Sequence, residues 1–213
     1  MSKKGLFFTF EGGEGAGKTT LIEGLAKKLA TLDFSVVKTR EPGGTKLGEH
    51  IRNILLDHSA TMSICPRAEL SLFLASRSQH VEEVIIPALE DGKIVLCDRF
   101  TESSLAYQGG ARDLGIEKIA PICSYMAHDL IPSSVFYLDI DPKIGLQRRG
   151  KLSDRIESET LAFHQKIRQA FLYLAKQHPD RIQVFDAGKS CKEIFHEAFD
   201  SIADILAAHG LPI

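Results

Sequence analysis

The chain has 213 residues, 44% hydrophobic and 25% charged, with a mean hydropathy of -0.04, which is the profile of one globular α/β-sized unit and excludes a disordered or fibrous chain. A formal net charge of -2 gives no reason to expect polyanion binding across the surface, and no apolar run approaches a membrane span, so neither nucleic acid nor membrane is an expected partner. Cys65, Cys97, Cys123 and Cys191 form no C-x-x-C or Cys/His metal pattern, and the apolar stretch after the first residues is too short for a secretory signal, so a cytoplasmic protein with reduced thiols is expected.

In chain order, residues 6–10 form a short aromatic-rich apolar run of strand type. It enters Gly12, Gly13, Glu14, Gly15, Ala16, Gly17, Lys18 and Thr19, which fit G-x-x-x-x-G-K-[ST]. Glycines in such a turn bring bare N–H groups against phosphate oxygens, and the helix that follows aims its positive end at the same anion. In this reading the loop through Thr20 binds ATP, Lys18 reaches the β- and γ-phosphates, and the Thr19 hydroxyl meets Mg²⁺. Leu21, Ile22, Leu25, Leu29 and Leu32 give the next helix, about 18–32, its apolar face.

Strand character recurs at 6–11, 35–39, 94–98, 135–139 and 182–186, alternating with helical patterns, so a five-stranded parallel sheet covered by helices on both faces is expected. Ligands gather at the carboxyl ends of such strands. After the second strand come Arg40, Glu41, Pro42, Gly43 and Gly44, then a helix carrying Leu47, Ile51, Ile54 and Leu55. Arg40 and Arg52 stand where either the switch point of the sheet or solvent is open to them.

Residues 67–90 read as one long helix with Leu70, Leu74, Val81, Ile85 and Leu89 in a stripe. Phe73 and Arg77 lie at i and i+4 beside it. One reading stacks a nucleobase on the ring and reads its edge with the guanidinium; the other makes Phe73 core and Arg77 its cover. The third strand ends in Asp98, Arg99 and Phe100. An acid there is placed to hold Mg²⁺, with Arg99 reaching phosphate from the same edge, and a surface Asp98–Arg99 pair is the alternative. Ser103, Tyr107 and Gln108 follow, and the amide of Gln108 has the donor and acceptor that a base edge requires. Past the fourth strand, Asp141 and Pro142 are the N-cap and first residue of a short helix that runs into a polar segment with Arg148, Arg149, Lys151 and Arg155. Those cations are either a lid over a transferring phosphoryl group or a solvated charge run. Residues 160–177 and 191–209 complete the helices.

Together, FEGGEGAGKTT, TREPGGT, FLASRSQH, DRFTESSLAYQGG and RRGKLSDRIE resemble the bacterial thymidylate kinase family over nearly the whole chain. The resemblance implies a P-loop nucleoside monophosphate kinase fold in a single domain, 1–213, with an acceptor-binding region at about 40–110 and a small lid at about 147–158. It implies ATP and dTMP as substrates, Mg²⁺ as cofactor and a homodimer. The residue matching Phe73 stacks on thymine, those matching Arg77 and Gln108 meet the base edge or its surroundings, and Tyr107 crowds the 2′ position. Arg99 matches the binder of the acceptor phosphate, and Glu14 a position near the acceptor sugar and metal. Arg40, Pro42, Arg52 and Ser103 complete the acceptor set. Gly15 stands where some members carry an arginine, so this chain resembles the class whose catalytic arginine comes from the lid, here Arg148 or Arg149, with Arg155 nearby. Catalysis would then rest on Lys18, Arg99 and these lid arginines. A deoxynucleoside or other pyrimidine monophosphate kinase is the alternative enzyme, and a P-loop switch the alternative of another class. Against a GTPase switch, there is no D-x-x-G, and Asn53, the one asparagine, is not in N-K-x-D.

Overall fold

The computed structural model describes residues 5–57, 63–150 and 154–211. The strands β1 (Leu6–Gly12), β2 (Val36–Arg40), β3 (Ile94–Asp98), β4 (Ser134–Asp139) and β5 (Ile182–Asp186) form one parallel sheet in the order β2-β3-β1-β4-β5. Each falls within one residue of its sequence expectation, because a short apolar run flanked by Gly, Pro or Asp is a local signal.

Period-two alternation decides what each face covers. Phe8 and Phe10 of β1, Leu96 of β3, Phe136 and Leu138 of β4, and Phe185 of β5 join one apolar layer with α1 (Lys18–Ala30) and α9 (Cys191–Ala208). The other face presents Val135 and Tyr137 to α3 (Pro66–His80), α6 (Ile116–Met126) and α8 (Leu161–Gln177), and Phe7, Val95 and Cys97 to Val81, Ile85 and Ala88 in the helical segment that follows α3. On that face β1 also carries two fully buried polar side chains, Thr9 and Glu11.

The long helix expected over 67–90 is instead α3, a π-helical turn at Val81–Ile85, and α4 (Ile86–Glu90). Pro87 has no N–H and its ring crowds the carbonyl four residues back; the wider turn just before it accommodates both effects without ending the helix. A second π-helical stretch, Leu105–Ala111, follows α5 (Thr101–Ser104), and neither it nor α6 was expected. Gly109, Gly110 and Pro121 mask the helical pattern there. After β4, α7 (Pro142–Arg149) begins at an Asp141 cap that accepts from Lys143 N at 2.8 Å. Arg148 and Arg149 therefore occupy the last turn of a helix rather than a loop, and Lys151 lies outside the described residues. Among the described residues no helix is long and apolar enough to cross a membrane.

Candidate active site

A cleft of about 510 Å³ opens at the carboxyl ends of β1, β2 and β3, where an open parallel sheet places its ligands. All the expected site residues except Gly12, Gly13 and Arg77 line it.

The floor is the loop between β1 and α1. Gly15 has φ +68°, and a Cβ there would sit 2.1 Å from the carbonyl oxygen of Gly145 in α7. The loop therefore packs backbone to backbone against α7, and no side chain fits at position 15 without displacing one of them. Gly12 and Gly13 lie behind the loop, where their carbonyls accept from Lys18 Nζ at 3.1 and 3.2 Å. Burial lowers the Lys18 pKa, and Arg99 adds to the effect, while Asp98 and Glu14 oppose it. A cation held in this way is poorly solvated by water and would interact strongly with a nearby anion.

At the end of β3, Asp98 Oδ2 accepts from the Thr19 hydroxyl at 3.4 Å, and Asp98 Oδ1 is buried with no hydrogen-bond partner among the described residues. A hydroxyl and an unpaired carboxylate oxygen side by side are the hard oxygen donors that Mg²⁺ takes, so Thr19 and Asp98 fit that ion. Next to them Arg99 adopts φ +69°, a conformation uncommon for a residue with a Cβ. It is held there from several sides. Arg99 N donates to Phe10 O at 2.9 Å, Nη2 donates to Glu14 Oε1 at 2.6 Å, and the guanidinium lies 5.1 Å from the Tyr107 ring centroid. Although burial works against it, Arg99 and Lys18 keep the Glu14 carboxyl below the usual range.

The sequence reading missed Glu11. Its Oε1 accepts from Phe100 N at 2.7 Å and its Oε2 from the Ser103 hydroxyl at 2.5 Å, so it clamps the chain on the far side of Arg99. Burial, reinforced by nearby Glu102, pushes its carboxyl up to about 8. The available signal was a carboxylate inside an apolar strand, which is costly unless it is used.

The opposite wall carries Phe73, Ser103, Tyr107 and Gln108, and Arg40, Pro42 and Arg52 also line the cleft. Arg40 is held by two hydrogen bonds to Glu49 at 3.0 and 2.9 Å, and Arg52 Nη1 donates to Pro42 O at 2.9 Å. Phe73 is half-buried, packed on the core and also lining the cleft. Arg77 stands one layer behind the wall, 1% exposed. Its Nε donates to Glu41 Oε2 at 2.7 Å and its Nη2 to Phe100 O at 2.8 Å, while Nη1 has no partner among the described residues. Neither sequence reading anticipated this buried ion pair, because Glu41 is remote in sequence from Arg77. His80 Nδ1 lies 3.0 Å from the other Glu41 oxygen and completes the group.

The three arginines after β4 separate. Arg148 Nη1 donates to Ala187 O at 2.7 Å, and Arg149 Nε donates to Glu157 at 3.0 Å while facing the cleft. Arg155 turns away, with Nε on Leu55 O at 3.1 Å and Nη2 on Glu69 at 2.7 Å.

The same architecture recurs in known proteins. A family model described as thymidylate kinase matches residues 10–198. The chain is 48% identical to the thymidylate kinase of Protochlamydia amoebophila (strain UWE25), covering 94% of this chain and 93% of that one, and 47% identical to that of Geobacillus sp. (strain WCH70), covering 94% and 97%. A crystal structure of thymidylate kinase from Ehrlichia chaffeensis superimposes with a TM-score of 0.76 at 30% identity, covering 93% of this chain and 99% of that one. A family model over residues 10–198 and relatives 47–48% identical over 94% of the chain place this protein in the thymidylate kinase family.

Proposed function

We propose that the chain transfers the γ-phosphoryl group of ATP to the 5′-phosphate of dTMP, giving dTDP and ADP for dTTP synthesis. The observation that carries this is the continuity of one cleft from Lys18 and Thr19 through Arg99 to Phe73. An attacking phosphate oxygen is already anionic near neutral pH, so the chain has to align two nucleotides and offset charge rather than supply a base.

In this reading the loop 12–20 holds the ATP phosphates and Lys18 follows the β- and γ-oxygens. Thr19 and Asp98 would hold Mg²⁺, which would supply charge neutralisation at the phosphates. Arg99 takes the acceptor phosphate, Phe73 the face of the thymine, and Tyr107, backed by Glu14, the sugar. The amide of Gln108 is the polar group for the base edge, and Arg77 supports the wall from behind through Glu41 and Phe100 O. Arg149 is the arginine for the transferring group. It faces the cleft with its Nε on Glu157 and acts on Glu14 electrostatically, whereas Arg148, also at the cleft, is tied to Ala187 O, and Arg155 turns away to Glu69. Residues 40–110 then form the acceptor region and 147–158 the lid of one domain. ADP release with dTMP, dUMP, dCMP, dGMP and thymidine as acceptors tests this; the expected result is turnover that is highest with dTMP and absent with thymidine. Preference for thymidine would point to a nucleoside kinase.

A homodimer and a cytoplasmic site of action belong to the same proposal. α2 (Lys46–Leu56) packs on α3 and α3 on α6, and this layer leaves Ile54, Ile122 and Tyr125 exposed. Sedimentation equilibrium of the protein and of Tyr125→Glu tests the dimer: a two-fold mass that the substitution lowers supports it.

A further inference from the structure

Glu69, in the first turn of α3, is 1% exposed and does not line the cleft, yet four hydrogen bonds converge on it. Oε1 accepts from Gln108 Nε2 at 2.9 Å and Arg112 Nε at 3.1 Å; Oε2 accepts from Arg112 Nη2 at 3.2 Å and Arg155 Nη2 at 2.7 Å. Arg112 is fixed in turn by Glu159 at 2.6 Å and lies 4.4 Å from the Phe163 ring centroid. Two guanidinium groups held by other elements leave the carboxylate no freedom to rotate. Burial would raise its pKa, but the hydrogen bonds from Gln108, Arg112 and Arg155 outweigh this and hold it below the usual range.

A carboxylate can only accept hydrogen bonds, so it binds the NH₂ end of the Gln108 amide and repels the carbonyl end. The carbonyl oxygen is therefore turned away from Glu69, and Gln108 lines the cleft beside Phe73. We propose that Glu69 is a positioning residue for acceptor selectivity: it locks the Gln108 amide so that the site takes a pyrimidine with a proton on N3 and rejects cytosine. This rests on the dTMP reading above. Thymine and uracil present N3–H to a carbonyl oxygen, whereas cytosine presents a lone pair and would meet oxygen with nitrogen, each without a proton between them. An amide free to flip could serve both bases; a locked one cannot. Mismatched buried hydrogen-bonding groups are the strongest discriminators available to such a site.

The test is kcat/KM for dTMP and dCMP at saturating ATP and Mg²⁺, in the wild type and in Glu69→Gln. In the variant the two arginines bonded at the Oε2 position keep the oxygen of the new amide. Its NH₂ then faces Gln108 and draws the Gln108 carbonyl round. The dTMP:dCMP ratio should fall at least about tenfold, mainly through the KM values of the acceptors, with the KM for ATP unchanged. Gln108→Met should lose the same selectivity, and the double variant should lose no more than Gln108→Met alone. An unchanged ratio in Glu69→Gln, or losses that add in the double variant, would overturn the proposal while leaving the dTMP reading intact. A wild type that shows no preference for dTMP would overturn both. Should Glu69→Gln not be recovered folded, Arg112→Met and Arg155→Met each loosen the carboxylate and should lower the ratio about threefold; no change in either overturns the proposal.

Discussion

The floor of the cleft is backbone taken from consecutive residues, Glu14 to Thr19, packed against Gly145 of α7. The opposite wall is side chains drawn from α3, the turn after β3 and the π-helical stretch before α6, and buried carboxylates set its polar members and the arginine behind it: Glu11 beside Arg99, Glu69 on Gln108 and Glu41 on Arg77. Phosphate is the same in every nucleotide and can be bound by peptide N–H groups at a helix start. A base differs from its competitors only in the pattern of donors and acceptors at its edge, so recognising it takes side chains whose rotation is prevented. The floor should therefore fail through chemistry when altered, and the wall through stability and selectivity.

The largest effect is expected on the floor. Lys18→Ala should lower kcat by about 10³-fold, the scale of losing one group that offsets transition-state charge, with the melting temperature little changed. Retention of near-normal turnover in folded protein would remove Lys18 from the chemistry. On the wall, Glu41→Ala leaves the Arg77 guanidinium, 1% exposed, without its counter-ion, and breaking a buried pair from one side costs about 3–5 kcal/mol. Urea denaturation reads this directly, and a loss under 1 kcal/mol would mean that the pair is not formed. Gly15→Ala adds a methyl group at φ +68° against the Gly145 carbonyl and should cost about 1–3 kcal/mol while displacing the loop, seen as a lower melting temperature together with a higher KM for ATP.

Smaller changes sharpen the contrast. Phe73→Ala should raise the KM for dTMP by about 10- to 100-fold, as expected if stacking contributes about 1–3 kcal/mol, and leave the KM for ATP alone. Glu11 gives an effect that depends on pH. Its carboxyl stands near 8 in the folded chain against 4.5 as the ordinary value, so the folded state binds the extra proton. Stability from this group is fully present below pH 4.5 and declines as pH rises towards about 8. Glu11→Gln should flatten that part of the stability–pH curve; a curve of unchanged slope would show that Glu11 is ionised in the fold.

The same contrast explains what was legible in the sequence. The loop 12–19, the five strands and Asp98 at the end of β3 are contiguous patterns, and the structure places each within a residue of its reading. Gln108 could be singled out as a base-reading side chain, but nothing near it announced Glu69, because the bond between them spans 39 residues. Arg77 was read as a choice between ligand and cover for the same reason: the ion pair that buries it comes from the turn after β2. The helical stretch from α5 to α6 was missed where Gly109, Gly110 and Pro121 interrupt the apolar spacing, and residues 151–153 of the expected lid lie outside the described structure.

The claim on which the rest stands is that donor and acceptor meet across this one cleft, phosphates over Lys18 and base over Phe73. A crystal structure with ADP, dTMP and Mg²⁺ tests it most directly. The account predicts the ADP β-phosphate within the loop 12–19, the dTMP phosphate on Arg99 and the thymine ring lying flat on Phe73. A thymine ring found away from Phe73, or a dTMP phosphate that does not reach Arg99, would contradict it.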